Sequence, residues 1–161
     1  MNTDDISKLA SQFALKDLVF KNGNRQYNIK FNRTHMLQLK GDSSTGKSLM
    51  AHDLREQRGK ISNFPEILVI DVINRESIDF ISMHKTSKYD LVVIDNADIL
   101  ITQEVDKIIC KELLSSKTYW IVIGRKWYNC CAYSGCRGIL KSNHFRNKHE
   151  FYIEYTDDIT D

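Results

Sequence analysis

Three short runs of almost unbroken apolar residues constrain this chain more than any other feature: Ile67–Ile73 (ILVIDVI), Leu91–Ile94 (LVVI) and Tyr119–Ile123 (YWIVI). A strand with one wet face alternates apolar and polar residues, whereas a run that is apolar at nearly every position is a strand covered on both sides. Segments of helical spacing lie between these runs. Ser77–Met83 suits a short helix, and Gln103–Leu114 places Val105, Ile108, Ile109 and Leu113 on one face. Buried strands alternating with helices predict a parallel α/β sheet. Upstream, Phe13–Phe20 and Arg25–Phe31 read as an antiparallel hairpin turning at Asn22-Gly23, His35–Lys40 as a further extended run, and Phe151–Tyr155 as the last strand. With a single proline and seven glycines there is little room for linkers, so the 161 residues predict one domain.

The run His35–Lys40 leads straight into Gly41-Asp42-Ser43-Ser44-Thr45-Gly46-Lys47-Ser48, which matches G-x-x-x-x-G-K-[ST], the Walker A phosphate loop. The chemistry follows from the parts. Gly41 and Gly46 permit a tight path that turns successive N–H groups inward, making a nest for phosphate oxygens. A helix from Lys47 to about Arg58 adds the positive end of its dipole, with Met50 and Leu54 four residues apart and Gly59 placed to end it. Lys47 supplies a mobile cation for the β- and γ-phosphates, and the Ser48 hydroxyl a ligand for Mg²⁺. From average residue usage, four fixed positions match by chance in about half a percent of chains this long. Position between a strand and a helix lowers that further.

A second motif tests the first. Tyr89-Asp90-Leu91-Val92-Val93-Ile94-Asp95 is an apolar strand ending in an acid, the Walker B pattern. A buried parallel strand delivers a carboxylate at its C-terminal edge, where open α/β sheets bind ligands, so Asp95 is expected to hold Mg²⁺ opposite Ser48. Alone the pattern is weak. About fifty residues after the phosphate loop, with one strand in between, it is strong.

On these residues the chain resembles the additional-strand P-loop ATPases, which include AAA+ and ABC ATPases, over roughly residues 37–124. Val92–Leu100 (VVIDNADIL) is similar to the D-E-A-D form of Walker B in clamp-loader-like AAA+ proteins, and Tyr119–Gly124 occupies the place of their sensor 1 strand. The resemblance implies a three-layer P-loop NTPase fold with a mainly parallel sheet. Its five strands, from His35–Lys40 to Phe151–Tyr155, would lie in the order 5-1-4-3-2. It divides the single domain into an N-terminal hairpin (13–32), a Walker A to sensor 1 core (33–124) and a basic loop, last strand and acidic tail (125–161). It implies ATP and Mg²⁺ as cofactors, with Gly41 through Leu49 around the nucleotide, and a protein partner or second copy that supplies an arginine finger. ATP is favoured over GTP because no Asn/Thr-Lys-x-Asp guanine motif is present. LVFKNGNRQYNIKF looks like the N-terminal hairpin of ABC ATPases, yet no Leu-Ser-Gly-Gly-type signature occurs.

Two departures bear on catalysis. Asn96 stands where the family has the glutamate that polarises the attacking water, and asparagine cannot accept a proton. Asp98 is the nearby carboxylate able to substitute. The chain also ends without the helical lid that carries the sensor 2 arginine. Hydrolysis is therefore expected to be slow or partner-stimulated; the alternative is a module that binds ATP without turnover. Arg125, just past the sensor 1 strand, is the candidate γ-phosphate sensor.

The remaining signals are weaker. Lys plus Arg number 23 against 21 for Asp plus Glu, which excludes a generally polybasic protein. Residues 124–149 nevertheless hold six Lys/Arg and no acid, with Trp127, Tyr128, Tyr133 and Phe145 interspersed. Three readings stand: a solvated loop balancing the acidic tail, a nucleotide contact through Arg125, Arg137 or Arg146, and a nucleic-acid surface. Cys130, Cys131 and Cys136 with His144 and His149 have poor spacing for zinc, and free thiols in a cytoplasmic setting are expected. His52 reads as a surface residue and Trp120 as core. No apolar run nears the length of a membrane span, and the polar, acidic start does not resemble a secretory signal, so no membrane is expected.

Overall fold

The computed structural model describes residues 17–31, 35–40, 46–71, 88–100, 107, 117–125, 127 and 136–156. These form one mixed eight-stranded sheet and two helices. In chain order they are β1 (Asp17–Asn22), β2 (Arg25–Lys30), β3 (Met36–Lys40), α1 (Lys47–Gln57), β4 (Ile67–Ile70), β5 (Leu91–Ile94), α2 (Ala97–Leu100), β6 (Tyr119–Gly124), β7 (Cys136–Phe145) and β8 (Lys148–Tyr155). The strands lie in the order β1-β2-β8-β7-β3-β6-β5-β4.

The four strands β3-β6-β5-β4 are parallel and keep the expected order around the strand that precedes the phosphate loop. Every residue of β5 and β6 is buried, as their unbroken apolar sequences require. Leu91, Val93, Ile121 and Ile123 join α1 residues Met50, Ala51 and Leu54 in one core cluster. Val92, Ile94, Trp120 and Val122 alternate with the strand residues of that cluster and are buried as well. Around Tyr119, the rings of Phe31 and Phe64 approach edge-on at 4.8 and 5.4 Å.

The other end of the sheet corrects the sequence expectation. Phe151–Tyr155 does form a strand, but it does not flank β3. That place belongs to β7, which pairs in parallel with β3 from Leu37↔Cys136 to Lys40↔Ile139. β8 returns antiparallel to β7 through the two-residue turn Arg146-Asn147 and then pairs in parallel with β2. Within the stretch expected to be a basic loop, Cys136–Phe145 is therefore a strand, residues 126 and 128–135 lie outside the described residues, and the sheet is mixed. The first turn also shifts by one residue. Asn22 pairs with Arg25, so the loop is Gly23-Asn24, with Gly23 at φ 61°, where glycine carries no Cβ penalty. The helices expected over 77–83 and 103–114 lie outside the described residues, apart from Lys107. Among the described residues, no helix is long and apolar enough to cross a membrane.

Candidate functional site

Parallel strands bring their C-terminal ends to one edge, and the chemistry-bearing residues collect there. α1 begins directly after Gly46, which sits at φ 87°, and the Met50 N–H donates to the Gly46 carbonyl at 2.9 Å to close the first turn. The α1 N-terminus thereby places Lys47 and Ser48 at the mouth of the sheet. β5 ends at Ile94, so Asp95 emerges at the same edge with only 6% of its surface exposed. Ser48 and Asp95, 47 positions apart in sequence, thus line the same cleft.

A cleft at this edge is lined by Lys47, Ser48, Asp95, Asn96, Asp98, Ile123, Gly124 and Arg125. It gathers every described residue for which the sequence suggested a catalytic or metal role. Gly46 stands immediately before it, and Leu49 follows on α1. Residues 41–45, the remainder of the G-x-x-x-x-G-K-[ST] motif, lie outside the described residues.

Burial raises the Asp95 carboxyl above its ordinary value, and the nearby charge of Asp71 pushes the same way. The Asn96 N–H at 2.9 Å, the Ser48 hydroxyl and the Lys47 charge pull it back. A poorly hydrated carboxylate of this kind gains from a cation. Its hard oxygen atoms, with the Ser48 hydroxyl beside them, form a donor set of the type that suits Mg²⁺.

Asn96 adopts φ 54°, a left-handed conformation in which asparagine is among the most tolerated non-glycine residues. Its carbonyl accepts N–H bonds from Ile99 and Leu100 at 3.0 and 3.2 Å, starting α2. The sequence departure at this position thus coincides with a backbone requirement. The Asp98 carboxylate accepts the Arg125 backbone N–H at 2.9 and 3.2 Å, tying the end of β6 to α2.

Asp71 was missed from sequence. It follows β4 just as Asp95 follows β5, and the register Ile70↔Ile94 sets the two carboxylates side by side. The signal was present in Leu68–Asp71, an apolar strand ending in an acid. It was absorbed into the longer run Ile67–Ile73. Arg55 of α1 holds Asp71 at 2.8 Å, so this acid is already ion-paired.

Other candidates are not brought to the cleft. The Arg137 guanidinium lies 5.8 Å from the centre of the Trp127 ring, and that of Arg146 lies 5.4 Å from the Phe145 ring at the β7–β8 turn. Cys136 begins β7 while His144 and His149 pair at its far end, so these three cannot share a metal ion. Cys130 and Cys131 lie outside the described residues. His52 is exposed and pairs with Glu56 at 2.9 Å, and Trp120 is fully buried, both as expected.

Sequence reasoning also gave no hint of how the hairpin is anchored. Asp53 of α1 is fully buried. It accepts Arg25 Nε and Nη2 at 2.7 and 2.8 Å, Asn22 Nδ2 at 2.7 Å and the Tyr27 hydroxyl. Burial opposes ionisation of Asp53, but the bonds from Arg25, Tyr27 and Asn22 outweigh it and hold the carboxyl below its ordinary value.

No family model matches the chain, and no curated protein matches it. Among solved structures it is similar to the X-ray structure of the Legionella pneumophila ATPase DotB, at 12% sequence identity and a TM-score of 0.45. The match covers 96% of this chain and 48% of that one, so the chain spans about half of that protein's length.

Proposed function

We propose that the chain is a P-loop nucleotide-binding domain that takes ATP with Mg²⁺ and acts as a slow or partner-stimulated ATPase switch. One observation carries the reading: the lysine and serine of the G-x-x-x-x-G-K-[ST] motif line one cleft with the acid that follows a buried parallel strand two places along the sheet. In this reading Gly41 through Leu49 wrap the phosphates, and Lys47 offsets the charge of the β- and γ-phosphates. Ser48 and Asp95 hold Mg²⁺, which supplies charge neutralisation at the same oxygens. Arg125, at the open side of the cleft, senses the γ-phosphate. Asn96 orients a water without taking its proton, and Asp98 is the nearest carboxylate able to do so.

A second reading, ATP binding without turnover, is favoured by Asn96 alone. Its left-handed backbone suits asparagine better than the glutamate an efficient hydrolase would place there.

Calorimetry with Mg-ATP tests the proposal. Wild type binds, Lys47→Ala loses most of the affinity while keeping its circular dichroism spectrum, and Arg125→Ala loses more affinity for ATP than for ADP. Unchanged ATP binding by Lys47→Ala would refute the site.

A further inference from the structure

The sheet face that packs on α1 carries a row of stacked rings that the proposed site does not use. Phe20 of β1 stacks on Tyr27 of β2 at 4.5 Å with planes 4° apart, and Tyr27 stacks on Phe151 of β8 at 4.6 Å and 10°. Phe151 also lies against Gly46, the residue before α1. A Cβ placed on Gly46 would lie 2.9 Å from Phe151 Cε1, so this residue has room only for hydrogen. From Phe151 the row turns along β8 to His149, at 4.3 Å, and crosses to His144 of β7 at 4.9 Å.

Direction matters as much as contact. β7 runs parallel to β3 and is in register with it only as far as Lys40↔Ile139. Residues 140–145 then continue past the end of β3 by about 20 Å at the rise of a strand. The paired imidazoles therefore stand beyond the phosphate-loop edge, on the face that Phe151 shares with Gly46. Opposite Phe151 on β7 is Ser142, an exposed residue too small to continue the row of rings. Asp95, Asn96 and Arg125 lie on the other side of β3, at the β5 and β6 ends. A nucleotide whose terminal phosphate faces them runs its sugar and base the opposite way, toward this row of rings.

We infer that the His144–His149 pair, backed by Phe151, is the base subsite and stacks the purine of the nucleotide whose phosphates Lys47 holds. The inference rests on the nucleotide-binding reading above and adds to it what recognises the base. Stacking on imidazole is tolerant of which purine is present and favours purines over the smaller pyrimidines. Both histidines lie on the β7–β8 hairpin, His144 exposed and His149 partly so, and their truncation leaves the core intact.

Affinities of the full chain for Mg-ATP, Mg-CTP and inorganic tripolyphosphate separate base from phosphate recognition. Wild type binds ATP more tightly than CTP, and CTP more tightly than tripolyphosphate. The double variant His144→Ala/His149→Ala loses about tenfold for ATP, the effect of one lost base–aromatic stack, and nothing for tripolyphosphate. His144→Phe/His149→Phe restores ATP binding, because a phenyl ring stacks where an imidazole did. ATP affinity unchanged in the double alanine variant would overturn the inference and leave the phosphate site standing. Equal losses for ATP and tripolyphosphate would also overturn it, by showing that the rings act on the phosphate site. Absence of binding of either compound to wild type would remove the nucleotide reading itself, and this inference with it.

Discussion

Asn96 joins two requirements at one residue. It follows the buried Asp95, donates its N–H to that carboxylate, and turns the chain into α2 through a left-handed backbone. For most side chains that conformation costs about 1–2 kcal/mol, and asparagine and glycine escape much of it. Asn96→Ala should therefore lower unfolding stability by about 1 kcal/mol, while Asn96→Gly stays near wild type in urea titrations. Equal losses for the two variants would place the cost in the side chain instead of the backbone. Asn96→Glu carries the same strain but sets a carboxylate where an attacking water would be held. Turnover per folded molecule should rise with that variant if the rest of the site is competent. That Lys47, Ser48 and Asp95 would share one cleft was legible in sequence, because the proposed phosphate and Mg²⁺ chemistry demands particular side chains at fixed spacing. The backbone demand at residue 96 was not, since a φ angle leaves no mark on a single sequence.

Among the elements, the hairpin β1–β2 is tied to α1 through a buried carboxylate with donors from three residues around it. Removing one partner of a buried ion pair commonly costs about 3–5 kcal/mol. Arg25 is 30% exposed and Asp53 would keep Tyr27 and Asn22, so Arg25→Ala should cost nearer ~2 kcal/mol. The sign of the pH dependence follows from the depressed Asp53 carboxyl. Its stabilising effect is complete above the ordinary carboxylate value of about 3.9 and is lost as pH falls through the lower folded value. Arg25→Ala should thus flatten the acid limb of a stability–pH curve below about pH 4 and leave its slope near neutrality unchanged. An acid limb as steep as wild type would show that other carboxylates set it. This anchor links residues 22–27 to 53, a distance over which periodicity carries no information. The strand β7 escaped notice for a related reason. Its outer half is exposed from Ser142 to Phe145, so neither alternation nor an apolar run marks it.

At the scale of the whole molecule, the sheet has two characters: parallel strands β7-β3-β6-β5-β4, and the paired hairpins β1–β2 and β7–β8. β7 belongs to both, pairing with β3 over its first half and with β8 over most of its length. Asp53 of α1 adds a bond between the phosphate-loop helix and the far hairpin. A structure joined in these ways should unfold as one cooperative unit across the described strands and helices. Both tryptophans, Trp120 and Trp127, lie at or just after β6, so their fluorescence reports the parallel part, while far-ultraviolet circular dichroism reports all strands. The two signals should give one coincident thermal transition. Mg-ATP at a hundred times its dissociation constant should stabilise the fold by about 2.7 kcal/mol. For a chain of this size that moves the midpoint up by about 5–10 °C, equally in both signals. Lys47→Ala should show the same coincident transition without the shift. If the dichroism showed a separate early step that ATP left unmoved, the hairpins would be an independent unit. The row of rings from Phe20 to Phe151 would then have no energetic connection to the proposed phosphate site beside Gly46.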